Sequence, residues 1–121
     1  MTLRQRDTGG AVTAELAMAV PLLLALTVGL VWLLSLGLAQ VRIVDATREA
    51  ARAVARGDPT DEALARAQQV APPGADLSVT TTEGQVVVRG AVSVDGIGGL
   101  FDALPSVGLS AEAVAAVEVP P

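Results

Sequence analysis

Few residues in this sequence could do chemistry. There is no cysteine, histidine, lysine or tyrosine, which removes thiol nucleophiles, the commonest general base, Schiff-base amines and thiolate or imidazole metal ligands. The 121 residues carry 13 acids against 8 basic residues, all arginine. The net charge of −5 is the wrong sign for a partner tracked by its phosphates. Asp61 beside Glu62, and Asp95 with Asp102, can be drawn as acid/base pairs, but capping and turn roles account for them without a pocket-forming domain. Gly96-Ile97-Gly98-Gly99 lacks the third spaced glycine and the strand-turn-helix setting of a dinucleotide loop. No catalytic residue, cofactor or metal site is expected, and the chain reads as a non-enzyme. One acid stands apart. Glu15 closes the stretch Gly10-Ala11-Val12-Thr13-Ala14-Glu15 and directly precedes a charge-free run from Leu16 to Ala39. An unpaired charge at a bilayer centre costs about 2.5–3.5 kcal/mol or more, so a carboxylate at the membrane border wants a cation. The competing reading is that the helix dipole and interfacial water satisfy it.

The elements that would position Glu15 follow from the pattern around it. A helix over 16–39 is about 36 Å long against a hydrocarbon core of about 30 Å, enough to span with some tilt. A chain this short has nothing large enough to wrap every face of such a helix. Beyond Ala39, Arg42, Asp45, Glu49, Arg52 and Arg56 recur at threes and fours as one polar stripe, Val44, Ala51 and Ala55 fall elsewhere, and Gly57 supplies a stop. A single helix from about Ala11 to Arg56 is expected. Asp58-Pro59 reads as the N-cap and first position of a short second helix with Ala63, Leu64, Ala67, Val70 and Ala71 on its apolar face, ended by Pro72-Pro73. Next come a strand from Leu77 to Thr82, a Glu83-Gly84 turn, and a strand from Gln85 to Val94 with Val86, Val88, Val92 and Val94 on one face. Ile97, Leu100, Phe101 and Leu104 have the spacing of a turn or two of helix, and Leu109 to Val119 reads as a third strand. The fold class is α+β: a long N-terminal helix, a short helix and a small antiparallel sheet of about three strands. Trp32 and Phe101 are the only aromatics, so any soluble core is aliphatic, alanine-rich and marginal alone.

The setting of Glu15 resembles the prepilin-peptidase site of type IV pilins and pseudopilins: a small residue, a cleavable bond, and a glutamate five positions into the product. The resemblance implies cleavage between Gly10 and Ala11. The new amine of Ala11 would then pair with Glu15, four residues on or on a neighbouring subunit, and set axial register. More widely, 9–57 resembles the TadE-like family, minor pilins or pseudopilins of the tight-adherence (Flp) pilus. The matching features are Glu15, Ala-Val-Pro-Leu-Leu at 19–23, Gly29, and Arg-Glu-Ala-Ala-Arg at 48–52. Many members carry an acid in the outer half of the span, where this chain has Val31-Trp32-Leu33, so no role of that acid carries over. The resemblance implies a pilin-like structural subunit whose partners are the membrane, a prepilin peptidase, the assembly platform proteins, the major pilin and other minor pilins. The domains are then a leader (1–10), a transmembrane helix (11–39), an amphipathic extension (40–57) and a small extracytoplasmic domain (58–121).

Thr13, Ala17, Pro21, Ala25 and Gly29 recur every four residues, the small-xxx-small pattern of close helix packing, which an alanine-rich span also produces by chance. Pro21 leaves the Ala17 carbonyl without its helical donor. Arg48, Glu49 and Arg52 form either a subunit contact or a solvated face. Arg4 and Arg6 precede the span while Arg42, Arg48, Arg52 and Arg56 follow it, a count that leans against a cytoplasmic N-terminus. The leader signature requires the opposite orientation, with the N-terminus inside a bacterial cytoplasmic membrane. Two other readings stay open. One is a secreted domain released after Gly37-Leu38-Ala39, although its apolar region exceeds the roughly 7–15 residues of a signal peptide. The other is an accessory protein that stays anchored and unprocessed.

Overall fold

The computed structural model describes the backbone of residues 2–95 and 106–118, and within that range the side chains from Gly9 onward. In chain order it contains α1 (Thr2–Ala55), α2 (Thr60–Val70), β1 (Asp76–Thr82), β2 (Gln85–Val94) and β3 (Val107–Ala116), the expected α+β class. These residues form two compact units, Met1–Leu34 and Ser35–Pro121. The expected helical turns around Ile97, Leu100, Phe101 and Leu104 lie outside the described residues.

In the first unit α1 begins at Thr2, well before Ala11. Gly9 and Gly10 are helical, although each glycine costs a helix about 1 kcal/mol relative to alanine. Pro21 sits inside α1 without ending it. From Gly9 to Leu34 no side chain is buried, and Met18, Leu22 and Leu34 are 79%, 72% and 74% exposed. This helix is long and apolar enough to cross a membrane, as a single-pass anchor does.

The second unit is built on an antiparallel sheet in the order β1-β2-β3. Glu83 and Gly84 make the β1–β2 turn with φ of 32° and 80°, the paired positive values of a two-residue hairpin whose twist matches its strands. Alternation then sends Val86, Val88 and Val92 into the core and leaves Gln85, Arg89, Ala91 and Ser93 outside; Val94 is half-buried. The third strand runs Val107–Ala116 and not Leu109 to Val119. Register explains the shift: Ala116 pairs with Gln85, the first residue of β2, and the Val117 N–H donates to the Gly84 carbonyl at 2.8 Å, closing the ladder there.

Across the sheet's inner face lies the part of α1 after Ser35. Ala39, Ile43, Ala46, Thr47 and Ala50 are buried at helical spacing, while Arg42, Asp45, Glu49, Arg52 and Arg56 form the expected exposed stripe. Thr47, the one buried polar residue among those described, donates its hydroxyl to the Val44 carbonyl at 2.8 Å. α1 ends as expected at Gly57, whose φ is +98°: Gly57 N–H donates to Val54 and Asp58 N–H to Ala53, a Schellman motif. The start of α2 differs from expectation. Pro59, not Asp58, is the N-cap, and its carbonyl accepts the first helical bond from Ala63 at 2.9 Å. Asp58 is drawn away by Arg56 at 3.2 Å and Arg66 at 3.6 Å. Ala63, Ala67 and the capping Ala71 are buried and Leu64 is half-buried, but Val70 is 42% exposed. Polar ties join the pieces: Gln68 donates to the Ala75 carbonyl at 2.7 Å, and the Glu118 N–H to the Ala55 carbonyl at 3.1 Å.

Candidate assembly surface

Gly10, Ala11, Glu15 and the small-residue row all lie on the first unit. The Gly10–Ala11 peptide bond is inside α1, and Gly10, Ala11 and Glu15 are exposed. A methyl group added at Gly9 or Gly10 would meet nothing within 4 Å. Ala11 and Glu15 are one turn apart on the same face. Before any cleavage Ala11 offers only a peptide N–H, so the expected pair has no cation. Among the described residues the ion pairs belong to Arg56, Arg66 and Arg89, and none reaches Glu15. Thr13 donates its hydroxyl to the Gly9 carbonyl at 2.9 Å, bridging the two sides of the Gly10–Ala11 bond.

The small-residue row is equally open. Thr13, Ala17, Pro21 and Ala25 are exposed, Gly29 is half-buried, and a methyl group on Gly29 would touch nothing within 4 Å. At about 100° per residue the row drifts by about 40° at each step, so Thr13 and Gly29 end up nearly half a turn apart. Glu15 and Ala17 face away from each other, about 200° round the helix. Seven-residue steps drift only about 20°, so Glu15, Leu22 and Gly29 share a face. Thr27 satisfies its hydroxyl on the Leu23 carbonyl at 2.8 Å. The Trp32 indole N–H is shielded from solvent and finds no acceptor among the described residues.

Residues 10–52 match the model of the TadE-like protein family. No curated protein and no solved structure matches the chain. The TadE-like segment starts at Gly10 and includes Glu15, the whole apolar run and the Arg48–Arg52 stretch, which are the features that carried the resemblance. It stops short of α2 and the sheet.

Within the TadE-like segment, Ile43 and Thr47 escaped the reading of the sequence although they make its tightest packing. Gly90 of β2 lies against them. A Cβ there would stand 2.8 Å from Ile43 Cδ1 and 2.9 Å from Thr47 Cγ2. The available signal was the lone glycine in a valine-rich strand, which often marks a close backbone approach.

Proposed function

We propose that this chain is a structural subunit of a type IV tight-adherence pilus, a minor pilin or pseudopilin, processed by a prepilin peptidase between Gly10 and Ala11. The observation that carries the reading is the placement of Glu15 at the head of an outward-facing apolar helix, within a segment that is TadE-like from Gly10 onward. Hydrolysis of the Gly10–Ala11 bond leaves a carboxylate on the leader and an ammonium on Ala11. That cation stands at the positive end of the helix dipole, and Glu15, on its own chain or a neighbour's, neutralises it. A peptidase must open about a turn of α1 to reach the bond. Gly9 and Gly10 lower that cost by about 2 kcal/mol relative to two alanines.

The mechanism is packing plus one ion pair, with no enzymatic activity of its own. Side chains such as Met18, Leu22 and Leu34, covered by lipid in the membrane, are covered by equivalent helices in a filament, so extraction loses little hydrophobic stabilisation. On this reading the partners are the peptidase, the assembly platform and the other pilins, and the C-terminal unit is extracytoplasmic. The deciding measurement is the N-terminal residue of the chain isolated from its own cells. Ala11 is expected. Gln40 would mark a signal peptide, and Met1 or Thr2 an unprocessed anchor; either overturns the proposal. Protease added to spheroplasts should digest the C-terminal unit, and full protection would reverse the orientation.

A further inference from the structure

The unit Ser35–Pro121 carries an apolar groove of about 370 Å³ that subunit packing through the first unit does not use. Leu38 of α1, the Pro72-Pro73 turn and Val94 at the end of β2 wall it. Pro72 is buried and Val94 half-buried, so the wall belongs to the packed body of the unit. Its volume lies in the roughly 300–1,000 Å³ range of small-molecule sites. Arg42 and Asp95, of opposite charge, also line it. Both are exposed, and neither joins an ion pair among the described residues. Leu38 lies in the last turn of the charge-free run, and Arg42 follows about 6 Å further along the helix. In a membrane-anchored chain, that turn is where hydrocarbon gives way to headgroups.

We propose that the groove binds a phospholipid with a phosphoethanolamine headgroup, its acyl chain along Leu38, Pro72, Pro73 and Val94, its phosphate on Arg42 and its ammonium on Asp95. The guanidinium fork suits phosphate oxygens, and a carboxylate accepts from an ammonium through a charge-assisted bond. A headgroup with only negative charge meets a like charge at Asp95. A choline headgroup has no N–H to donate there. The proposal rests on α1 being a membrane anchor and not on a pilus role.

The test takes the full chain from cell membranes in mild detergent and reads bound lipid by native mass spectrometry, with phosphatidylethanolamine, phosphatidylglycerol and phosphatidylcholine added in turn. One retained phosphatidylethanolamine is expected. Arg42→Gln and Asp95→Asn should each weaken its retention about tenfold, the scale of one charge-assisted hydrogen bond, while Arg48→Gln leaves it unchanged. A photoreactive residue at position 38 should give a phospholipid adduct. No retained lipid, equal retention of the three lipids, indifference to both groove substitutions, or an adduct to protein would each overturn the proposal. Carbonate extraction run in parallel separates the failures: a chain that washes out refutes the anchor, whereas a resistant chain without lipid refutes the groove alone.

Discussion

Gly90→Ala tests the helix-to-sheet packing at its tightest point. The added methyl would sit 2.8 Å from Ile43 Cδ1, 2.9 Å from Thr47 Cγ2 and 3.0 Å from Ile43 Cγ1, where carbon atoms prefer about 3.5–4.0 Å. Ile43 can swing its terminal carbon, but the side chain is fully buried and would move into other core residues. Both are β-branched and stiff at χ1, but Thr47 is also held by its hydroxyl on the Val44 carbonyl at 2.8 Å and has no terminal carbon to swing. Overpacking of this kind costs about 1–3 kcal/mol, and alanine recovers about 0.5–1 kcal/mol of the backbone entropy that glycine loses. The net loss is about 1–2 kcal/mol. Far-UV signals are dominated by α1, so the loss is best read as hydrogen exchange at the Val86 and Val88 amides of the full chain. Their protection should fall about 5- to 30-fold, at tenfold per 1.4 kcal/mol. Thr47→Ser removes the clashing methyl and keeps the hydroxyl, so the cycle with Gly90→Ala should show at least about 0.5 kcal/mol of favourable coupling. Unchanged protection in Gly90→Ala, or strict additivity in the cycle, would refute the close approach as a constraint on the fold.

Other substitutions test separate parts of the molecule. Gly10→Leu should block maturation, visible on a gel as the chain retaining its leader; normal processing would count against the cleavage site. Glu15→Ala should still be cleaved yet be lost from sheared pilus fractions, and wild-type incorporation would remove the ion pair from the mechanism. Gly84→Ala forces a side chain onto a φ of 80° and should destabilise the hairpin by about 1–2 kcal/mol, read by exchange at β1 and β2 amides. Arg89→Ala breaks a 2.7 Å bond to Glu112, but those side chains are 73% and 50% exposed, so exchange protection should change by no more than about 0.5 kcal/mol.

What could be read directly from residue order was whatever a few neighbouring residues decide. Glu83-Gly84 between two runs rich in threonine and valine fixes a hairpin by backbone geometry alone, and Gly57 after the last periodic alanine ends a helix for the same reason. Features set by competition between distant groups were not legible. Asp58 has the chemistry of an N-cap, yet Arg56 and Arg66 hold its carboxylate, and Pro59 takes the position instead. The ends of β3 depend on where Gln85 sits in the ladder, which β3's own residues do not encode. Glu15 is the reverse case. Its conspicuous place next to the apolar run is visible in the sequence, while no ion pair among the described residues reaches it, and on the proposed mechanism its cation is created only by hydrolysis.

The alanine-rich packing of the second unit ties its sheet to α1. Among the described residues the largest fully buried side chains are Ile43, Val86, Val88 and Thr47, two from α1 and two from β2, and most of the remaining core residues are alanines. Alanine buries little apolar area, so close backbone approach must supply by dispersion what bulky side chains would otherwise supply by burial. That is why Gly90 faces Thr47 and why the inner face of the sheet lies against α1. Among the described residues, Ile43, Ala46 and Ala50 of α1 share one buried cluster with Val86, Val88 and Val92, to which α2 adds Ala67. The sheet is therefore bound to the same helix that carries the TadE-like segment to Arg52. On the proposed function, a force that draws that helix out of lipid acts on the sheet through Ile43 and Thr47, so Gly90→Ala should lower the amount of chain in sheared pilus fractions even with Gly10 and Glu15 intact, and wild-type incorporation would refute that link.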